Sequence, residues 1–347
     1  MTKKKTKALC VPLTEAERVR KYLKEQHLLR EDVKIVKEGT SIFFPVTRTP
    51  EGFPSYTVVT KSFEVRTEKP HCYKDLLRLP KKLMNELPTS YDTVGALILI
   101  KLPQSLIHYH KKIGNALLET HKNIRTVCLV DPVSGELRTR NITIIAGENQ
   151  TLTAHVEYGL TFHVDVAATY FSPRLASERK RVAAQVKPGE IVVDLFAGVA
   201  PFSIMIARFA KPRVVYAIDK NKEAITLAKQ NVKQNHVLQT VEVIHADAKD
   251  AERIIPTKAD RIIMNLPFSA YNFFSTALSI AAPTCKVHYY DIIREEDIEA
   301  RVTALEKIAK TQGYTLIEVL IHRIKSYAPR EFYIGLDITA TKHADVA

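Results

Sequence analysis

The strongest constraint on the fold lies between residues 191 and 265, where short apolar segments alternate with amphipathic ones. The apolar segments of strand length fall at residues 191–195, 214–219, 241–246 and 261–265. Helical periodicity separates them, after Pro201 and over residues 223–234. This order is typical of parallel strands joined by crossover helices. The region therefore predicts a doubly wound, mostly parallel sheet.

Further strands are predicted on both sides of this region. Downstream they fall at residues 286–292, 315–324 and 332–339, and the last two are expected to form an antiparallel hairpin. Upstream, residues 8–46 read as strand, helix and strand, and residues 94–166 as a second α/β module that ends in antiparallel strands. Residues 47–88 are rich in Pro, Lys and Tyr, which predicts an irregular joint.

These patterns divide the chain into four segments. The predicted domains are a small α/β module at 1–70, a linker at 71–90, a middle α/β module at 91–165 and a doubly wound domain at 166–347.

The composition limits the kinds of partner and the compartment that we expect for this chain. The chain of 347 residues carries a formal net charge of +13 and a sequence pI near 9.4, which suits a polyanionic partner, although a protein that is merely basic also fits. It has no apolar run long enough for a membrane span and no apolar stretch after its basic start, so we expect a cytoplasmic protein without membrane contact. The four cysteines lie far apart, so we expect packed, reduced thiols and no metal cluster.

A cofactor site is predicted where the parallel strands end. The first strand ends in Asp194 and runs into a glycine turn at Gly198, and Asp219 and Asp247 end the next two strands. Ligands bind outside the carboxyl ends of such strands. A loop with a single glycine, rather than Gly-x-Gly-x-x-Gly, indicates a cofactor without pyrophosphate, and S-adenosylmethionine fits. Each Asp alone could equally be a helix cap or a loop acid.

The fourth strand ends in Asn265-Leu-Pro267, close to where a sulfonium methyl group would point. An amide beside a rigid proline offers fixed donors and acceptors for the edge of a planar base. Methyltransferases that act on exocyclic amino groups often carry Asn-Pro-Pro-aromatic at the end of this strand. The variant here therefore indicates chemistry at a different planar nitrogen.

Four motifs together resemble one family. They are Tyr-Phe-Ser-Pro-Arg-Leu-Ala-Ser-Glu-Arg-Lys-Arg at 170–181, Asp-Leu-Phe-Ala-Gly-Val-Ala-Pro-Phe at 194–202, Asn-Leu-Pro at 265–267 and Lys-Ser-Tyr-Ala-Pro-Arg-Glu at 325–331. In this order they are similar to the archaeal and eukaryotic tRNA guanine-37 N1-methyltransferases. The resemblance covers nearly the whole chain.

The resemblance implies an α/β protein, with a Rossmann-like class I methyltransferase domain preceded by two smaller N-terminal α/β modules. It implies methyl transfer from S-adenosylmethionine to N1 of the guanine 3′ of the anticodon. The implied partner is tRNA, contacted at its anticodon loop and outer corner, and no obligate protein partner is indicated. Some archaeal members are also associated with carbon methylation of a tricyclic wyosine precursor at the same position, and this alternative stays open.

The family's site residues carry over by motif. Glu178 matches the general base, Arg138 matches the arginine that orients the guanine, and Asn265 and Pro267 match the motif that holds the base. Residues assigned to the cofactor are Arg174, Asp194, Phe196, Gly198, Asp219, Asp247 and Asn265. Residues assigned to the substrate are Arg140, Phe268, Tyr271, Lys325, Tyr327 and Arg330.

The chemistry fits these roles. Guanine N1 carries a proton at neutral pH, so its methylation needs a base such as Glu178, and charge that moves to O6 needs a cation such as Arg138. Glu178 could instead be a solvated helix acid, and Arg138 and Arg140 could bind phosphate alone. Residues 327–331 could be structural.

Other functions stay open at this point. A methyltransferase of the same fold could act on another RNA base or a protein side chain, and a non-catalytic RNA-binding protein could retain a relict cofactor fold. The sequence departs from the family at Ala200, where Gly is common, and at Phe268 and Tyr271, which replace the usual continuation. These aromatic residues leave the substrate range open.

Overall fold

A computed structural model describes residues 3–65, 72–131 and 140–343, and the predicted site residue Arg138 lies outside them. The chain divides into two compact units between residues 71 and 72.

The N-terminal unit is an antiparallel sheet with one helix. Its elements are β1 (Lys3–Pro12), α1 (Ala16–Glu25), β2 (Val36–Glu38), β3 (Ser41–Pro45) and β4 (Val58–Glu64). The strand order is β2-β3-β1-β4. Val19 and Leu23 of α1 pack into a core with Leu9 and Phe44 of the sheet. Strand β4 falls where an irregular joint is predicted, because its pairing partner β1 is distant in sequence and leaves no local signal.

The second unit begins with a four-stranded sheet. Its elements are α2 (Lys81–Glu86), β5 (Asp92–Val94), β6 (Leu97–Ile100), α3 (His110–Thr120), β7 (Thr126–Val130) and β8 (Ile142–Gly147). The order is β5-β6-β7-β8, and only the β6–β7 pair is parallel among these described pairs. Strands β5 and β6 form a tight hairpin that turns at Gly95, whose φ is +53°.

The segment predicted as a linker, residues 71–90, is packed where the structure describes it. Besides α2, it contains a short 3₁₀ helix at Tyr73–Leu76. Tyr73, Leu77 and Leu87 are buried in one core with Ile113 and Leu117 of α3. The prolines that suggested a linker instead separate short elements.

The remainder forms a hairpin and a large sheet. Its strands are β9 (Leu152–Glu157), β10 (Leu160–Asp165), β11 (Ile191–Asp194), β12 (Val214–Asp219), β13 (Val241–His245), β14 (Ala259–Met264), β15 (Ala281–Arg294), β16 (Tyr314–Ala328) and β17 (Glu331–Lys342). Its helices are α4 (Ala176–Gln185), α5 (Pro201–Ala210), α6 (Lys222–Gln234), α7 (Ala251–Ile254), α8 (Phe274–Ser279) and α9 (Ile298–Thr311).

The large sheet has the strand order β13-β12-β11-β14-β15-β17-β16. Strands β11 to β15 pair in parallel, and β17 pairs antiparallel with both β15 and β16. Alternate residues point to opposite faces: Val192 packs with α4, α5 and α6, and Val193 packs with α7, α8 and α9. The doubly wound sheet with an antiparallel edge is confirmed.

The β9–β10 hairpin attaches to α6 through two asparagines. Asn231 accepts the backbone N–H of His163 at 2.7 Å and donates to its carbonyl at 3.1 Å. Asn235, one turn later, does the same with Thr161 at 2.9 and 2.7 Å. Leu160 of β10 lies in the same core as α4, α5 and α6. The hairpin, predicted as the end of the middle module, thus packs on the large sheet's helices.

The cysteines are free thiols in the structure. Cys128 and Cys285 are buried as expected, but Cys72 is exposed, so the expectation that all are packed is wrong for it. Among the described residues, none of the helices combines the length and apolar character needed to cross a bilayer.

Candidate active site

A cavity of about 860 Å³ opens at the carboxyl ends of β11, β12, β13 and β14. Several residues predicted for the site line it. These are Arg140, Arg174, Phe196, Gly198, Asp219, Asp247, Asn265, Pro267, Phe268, Lys325 and Tyr327. The sheet edge therefore brings together residues that are up to 187 positions apart in sequence, from 140 to 327.

The turn between β11 and α5 forms one wall of the cavity. Gly198 has φ +55° and donates its backbone N–H to Asp219 Oδ2 at 2.7 Å. Ala200 also lies in the left-handed region, at φ +64°, directly before α5 begins. A left-handed residue with a side chain costs roughly 1–2 kcal/mol. Ala200 stands where Gly is common in the family. It therefore forms this turn at a higher conformational cost than glycine would.

Two carboxylates face the cavity from the next strands. Asp219 accepts the N–H groups of Gly198 and Asn221, the latter at 2.8 Å, and burial raises its pKa. Asp247 accepts the N–H of Lys249 at 3.0 Å and starts a short 3₁₀ helix. A carboxylate has about four lone-pair sites, so each keeps capacity for hydroxyl donors. The pair fits a nucleoside with ribose hydroxyls and disfavours a pyrophosphate.

Asp194 does not line the cavity, contrary to its predicted place at the ligand edge. It is almost fully buried beneath the turn, and its Oδ2 accepts the Ser203 hydroxyl at 2.8 Å. Its Oδ1 makes no hydrogen bond to the described residues, and burial raises the pKa of the carboxyl to about 7. Asp194 thus supports the turn from below and does not line the cavity.

The end of β14 forms the opposite wall. Asn265 Oδ1 accepts a hydrogen bond from the hydroxyl of Tyr333 on β17, which fixes the direction of the amide. Pro267 follows and is buried. Phe268 then takes φ +75°, and its N–H donates to Asp291 Oδ1 at 3.3 Å. An amide of fixed direction beside a rigid proline is what the motif predicts.

Glu178 lies on α4, with 7% of its surface exposed, and it does not form part of the cavity lining. Arg181 donates to both of its carboxylate oxygens, at 2.8 and 2.7 Å, and the Tyr290 hydroxyl donates to Oε1 at 2.7 Å. Burial alone would raise its pKa, but these hydrogen bonds outweigh burial and hold the pKa below the usual range. The carboxylate is therefore ionised at neutral pH.

Two tyrosines connect Glu178 to the cavity. The buried ring of Tyr290 packs against Tyr333, with centroids 6.0 Å apart, and Tyr333 lines the cavity. Glu178 thus lies one layer of side chains behind the wall that carries Asn265.

A chain of charges extends from Glu178 into the sheet. Arg181 also donates to Asp337, at 2.5 and 3.0 Å, and Asp337 pairs with the buried His288 at 2.6 Å. Arg261 donates to the other ring nitrogen of His288 at 2.8 Å, so that nitrogen accepts and the proton lies on the side of Asp337. Burial lowers the pKa of His288, which keeps the ring neutral.

The remaining predicted residues divide between the cavity and other places. Arg174 pairs with Asp92 at 2.5 Å at the cavity wall. The guanidinium of Arg140 lies 6.0 Å from the ring centroid of Tyr170. Tyr271 lies outside this cavity and lines a second one, and Arg330 is exposed at the β16–β17 turn and lines neither.

Several residues of the site were assigned no role from the sequence. Arg181 stands three positions after Glu178, a helix spacing that could have indicated the ion pair. Tyr290 and Tyr333 occur in apolar strands, where a tyrosine reads as core. Lys220 and Lys249, which follow Asp219 and Asp247 in sequence, line the cavity as well.

Family models match three successive parts of the chain. Residues 153–317 match the TRM5/TYW2 methyltransferase domain, residues 73–151 the TYW2 N-terminal domain and residues 8–54 the tRNA methyltransferase 5 N-terminal domain. The first match begins at the β9–β10 hairpin, in agreement with the packing of that hairpin.

Named relatives extend the comparison to nearly the full length. The chain is 40% identical to tRNA (guanine(37)-N(1))-methyltransferase Trm5b of Pyrococcus abyssi over 96% of this chain and 98% of that protein. It is 34% identical to tRNA(Phe) (4-demethylwyosine(37)-C(7)) aminocarboxypropyltransferase of Methanocaldococcus jannaschii over 59% and 81%.

Among solved structures, aTrm5 in its complex with tRNALeu matches with a TM-score of 0.83 at 33% identity, over 96% of this chain and 99% of that chain. The predicted fold class, a class I methyltransferase domain with N-terminal α/β modules, is confirmed.

Proposed function

The chain belongs to the archaeal and eukaryotic tRNA (guanine-37 N1)-methyltransferase family, and from that premise we propose that it transfers a methyl group from S-adenosylmethionine to N1 of the guanine at tRNA position 37. One structural observation supports the proposal independently of the similarity to known proteins. The Gly198 turn, the Asp219 and Asp247 carboxylates and the Asn265 amide line one cavity.

The cavity suits a cofactor and a base together. Its volume of about 860 Å³ lies near the upper end of ligand pockets, which span roughly 300–1,000 Å³. Asp219 and Asp247 are the acceptors we assign to the nucleoside part of S-adenosylmethionine, whose sulfonium supplies an activated methyl group. Phe196 packs edge-on against Phe273 at 5.0 Å between centroids, and both rings line the cavity as an apolar wall.

Glu178 is the general base of the proposal. A carboxylate held ionised by Arg181 and Tyr290 is ready to accept the N1 proton at Oε1 or Oε2. It lies behind the cavity wall in the free protein, and catalytic hydrogen bonds often align only when substrate is bound. We therefore propose that, when tRNA binds, Glu178 gives up one of its hydrogen-bond donors and bonds to the guanine instead.

Asn265 and Pro267 position the guanine. The Tyr333 hydroxyl occupies the amide oxygen of Asn265, which leaves the amide N–H₂ as the donor for an acceptor on the base. Stabilisation of charge at O6 is assigned to Arg138, on its motif position, and Arg140 lines the cavity two residues later. Preorganised donors of this kind lower the barrier because they need no rearrangement as charge develops.

Transfer RNA satisfies the access requirement of this chemistry. Guanine N1 is buried in a Watson–Crick pair, so the target must be unpaired, and a loop nucleotide leaves the stack at least cost. The net charge of +13 favours the phosphate backbone. This substrate implies action in the cytoplasm.

The proposal is tested by identifying the product. Unmodified tRNA transcript is incubated with the protein and S-adenosylmethionine that carries a labelled methyl group, then digested to nucleosides. We expect 1-methylguanosine, and none from a matched transcript with adenosine at position 37. Label in any other nucleoside contradicts the proposal.

The relative that transfers an aminocarboxypropyl group suggests a second candidate at the same tRNA position. The match of residues 73–151 to the TYW2 N-terminal domain favours it as well. Under this alternative the chain transfers to a carbon atom of a tricyclic wyosine precursor either a methyl group or, as the name of that relative states for it, an aminocarboxypropyl group. Transcript that already carries the precursor decides, with S-adenosylmethionine labelled in its methyl group in one reaction and in its carboxyl group in another, because aminocarboxypropyl transfer leaves the methyl group on methylthioadenosine. Carbon-linked label from either cofactor, with unmodified guanosine untouched, would replace the main proposal.

A further inference from the structure

A second cavity, of about 510 Å³, lies beside the first, and Phe268 lines both. The Phe268 side chain is 56% exposed, and its ring meets Tyr327 edge-on at 5.5 Å between centroids. Its φ of +75° is uncommon for any residue with a side chain. The backbone therefore holds a large apolar ring exposed between two cavities. This costs conformational strain at Phe268 and leaves the apolar surface of its ring in contact with water. Strain of this kind collects at functional sites.

The floor of the second cavity is planar and polarisable. The Arg301 guanidinium lies 4.7 Å from the ring centroid of Tyr271, and Asp291 holds it by an ion pair of 3.2 Å. Ile292 and Ile293 add apolar surface. Aromatic rings and arginine planes are the surfaces on which unpaired bases stack.

The four charged side chains that line this cavity balance in sign, and Asp291, which pairs with Arg301, lies outside the lining. Arg294 and Arg301 face Asp297 and Glu331, and Arg294 lies 3.9 Å from Glu331. A phosphate or a metal ion would need an excess of one sign. A balanced and partly apolar lining instead suits a neutral planar group with polar edges.

We propose that the second cavity binds the base of a nucleotide directly next to the methylated guanine, with Phe268 between the two bases. This inference rests on the proposed function, because it takes the first cavity as the guanine site. When the guanine leaves its stack, its neighbour loses a stacking partner, and the exposed ring of Phe268 replaces that partner. The two cavities thus hold adjacent bases apart on either side of one ring.

The test removes the base rather than the protein side chain. Transcripts are made with an abasic nucleotide on the 5′ or the 3′ side of the target guanine, and kcat/KM for methylation is measured with the full-length protein. One of the two positions should lower kcat/KM about tenfold, the scale of one lost stacking contact. The other serves as its matched control.

A variant then assigns the loss to the cavity. Ala300, exposed on α9, lines the second cavity and not the first, so Ala300→Tyr fills the second cavity from its rim. Thr303→Tyr, exposed on the same helix and part of neither lining, is the control. We expect Ala300→Tyr to lose about tenfold on intact tRNA and nothing more on the abasic transcript. Thr303→Tyr should match the unaltered protein.

Two results overturn the inference. The first is an unchanged kcat/KM with the abasic nucleotide at both neighbouring positions, and the second is that the losses from Ala300→Tyr and from the abasic nucleotide multiply. If guanine N1 is not methylated at all, the proposed function fails. The inference about the second cavity is then decided by a tRNA-binding measurement. 2-Aminopurine at the neighbour position should be quenched by the unaltered protein and not by Ala300→Tyr. Equal quenching by both proteins contradicts the second cavity as a base site.

Discussion

Glu178 shows how strongly one side chain depends on its neighbours. Its carboxylate keeps its charge in a buried place because Arg181 and Tyr290 donate to it. From the sequence alone, its role as a base and a place on the surface of a helix were both open. Burial with ordered donors excludes the surface reading, and the role as base stays a prediction.

Glu178→Gln should lower the single-turnover rate of methyl transfer by about 100-fold or more, since a positioned general base contributes roughly 10²–10⁴-fold. Affinity for S-adenosylmethionine should not change, because Glu178 lies outside the cavity lining. Rapid-quench measurement of methylated tRNA checks the rate, and calorimetry checks the affinity. Glu223→Gln, exposed in the first turn of α6, is the control. A full rate in Glu178→Gln removes Glu178 as the base.

Arg181→Gln should change how stability depends on pH. Arg181 helps to hold the pKa of Glu178 below its ordinary value of 4.5 and the pKa of Asp337 below its ordinary value of 3.8. Each depressed pKa gives stability that is present above the unfolded-chain pKa and lost as pH falls through the lower folded pKa. The variant should therefore lose about 3 kcal/mol of unfolding free energy at pH 7, and less below pH 4.

Urea unfolding at both pH values measures this difference, with the exposed Arg213→Gln as control. The acid limb of the methylation rate should also move to higher pH in Arg181→Gln, because Glu178 then takes up protons more readily. A stability loss that is independent of pH would contradict the assigned ion pairs.

At the scale of elements, the alternation of strands and helices over residues 191–265 predicted the parallel sheet almost segment by segment. The predictions erred where an element depends on a distant partner. Strand β4 reads as an irregular joint until β1 pairs with it.

The joint between α6 and β10 yields a prediction at this scale. Asn231→Ala should lower the unfolding free energy by about 2 kcal/mol, because it leaves the N–H of His163 and the carbonyls of His163 and Val199 without a partner. Gln230→Ala, at the exposed neighbouring position, should cost far less. Urea unfolding of both variants measures the difference. Equal losses would contradict this role for the Asn231 amide.

At the scale of the whole molecule, the cavity belongs entirely to the second unit. All the residues that line it have numbers between 88 and 333. The N-terminal unit has a separate core of its own. The family resemblance implies that the N-terminal unit contacts tRNA, so we expect truncation to separate cofactor binding from tRNA binding.

A chain of residues 72–347 should bind S-adenosylmethionine as the full chain does, because every residue assigned to the cofactor is retained. Its kcat/KM for tRNA should fall by about 100-fold, since linked binding modules add through effective concentration. Calorimetry and steady-state methylation measure the two quantities. Weaker cofactor binding after truncation would contradict the division.

The sequence by itself determined the sheet, the cofactor turn and the carboxylates at the strand ends, because periodicity, a lone glycine and strand-end acids are local features. The tertiary structure decided what depends on approach between distant residues. It buried Asp194 beneath the turn, placed Tyr290 on Glu178, and joined Tyr333 to Asn265. Partners such as Glu178 and Tyr290, which are 112 positions apart, leave no pattern in sequence, because only folding brings their charges and hydrogen bonds within reach.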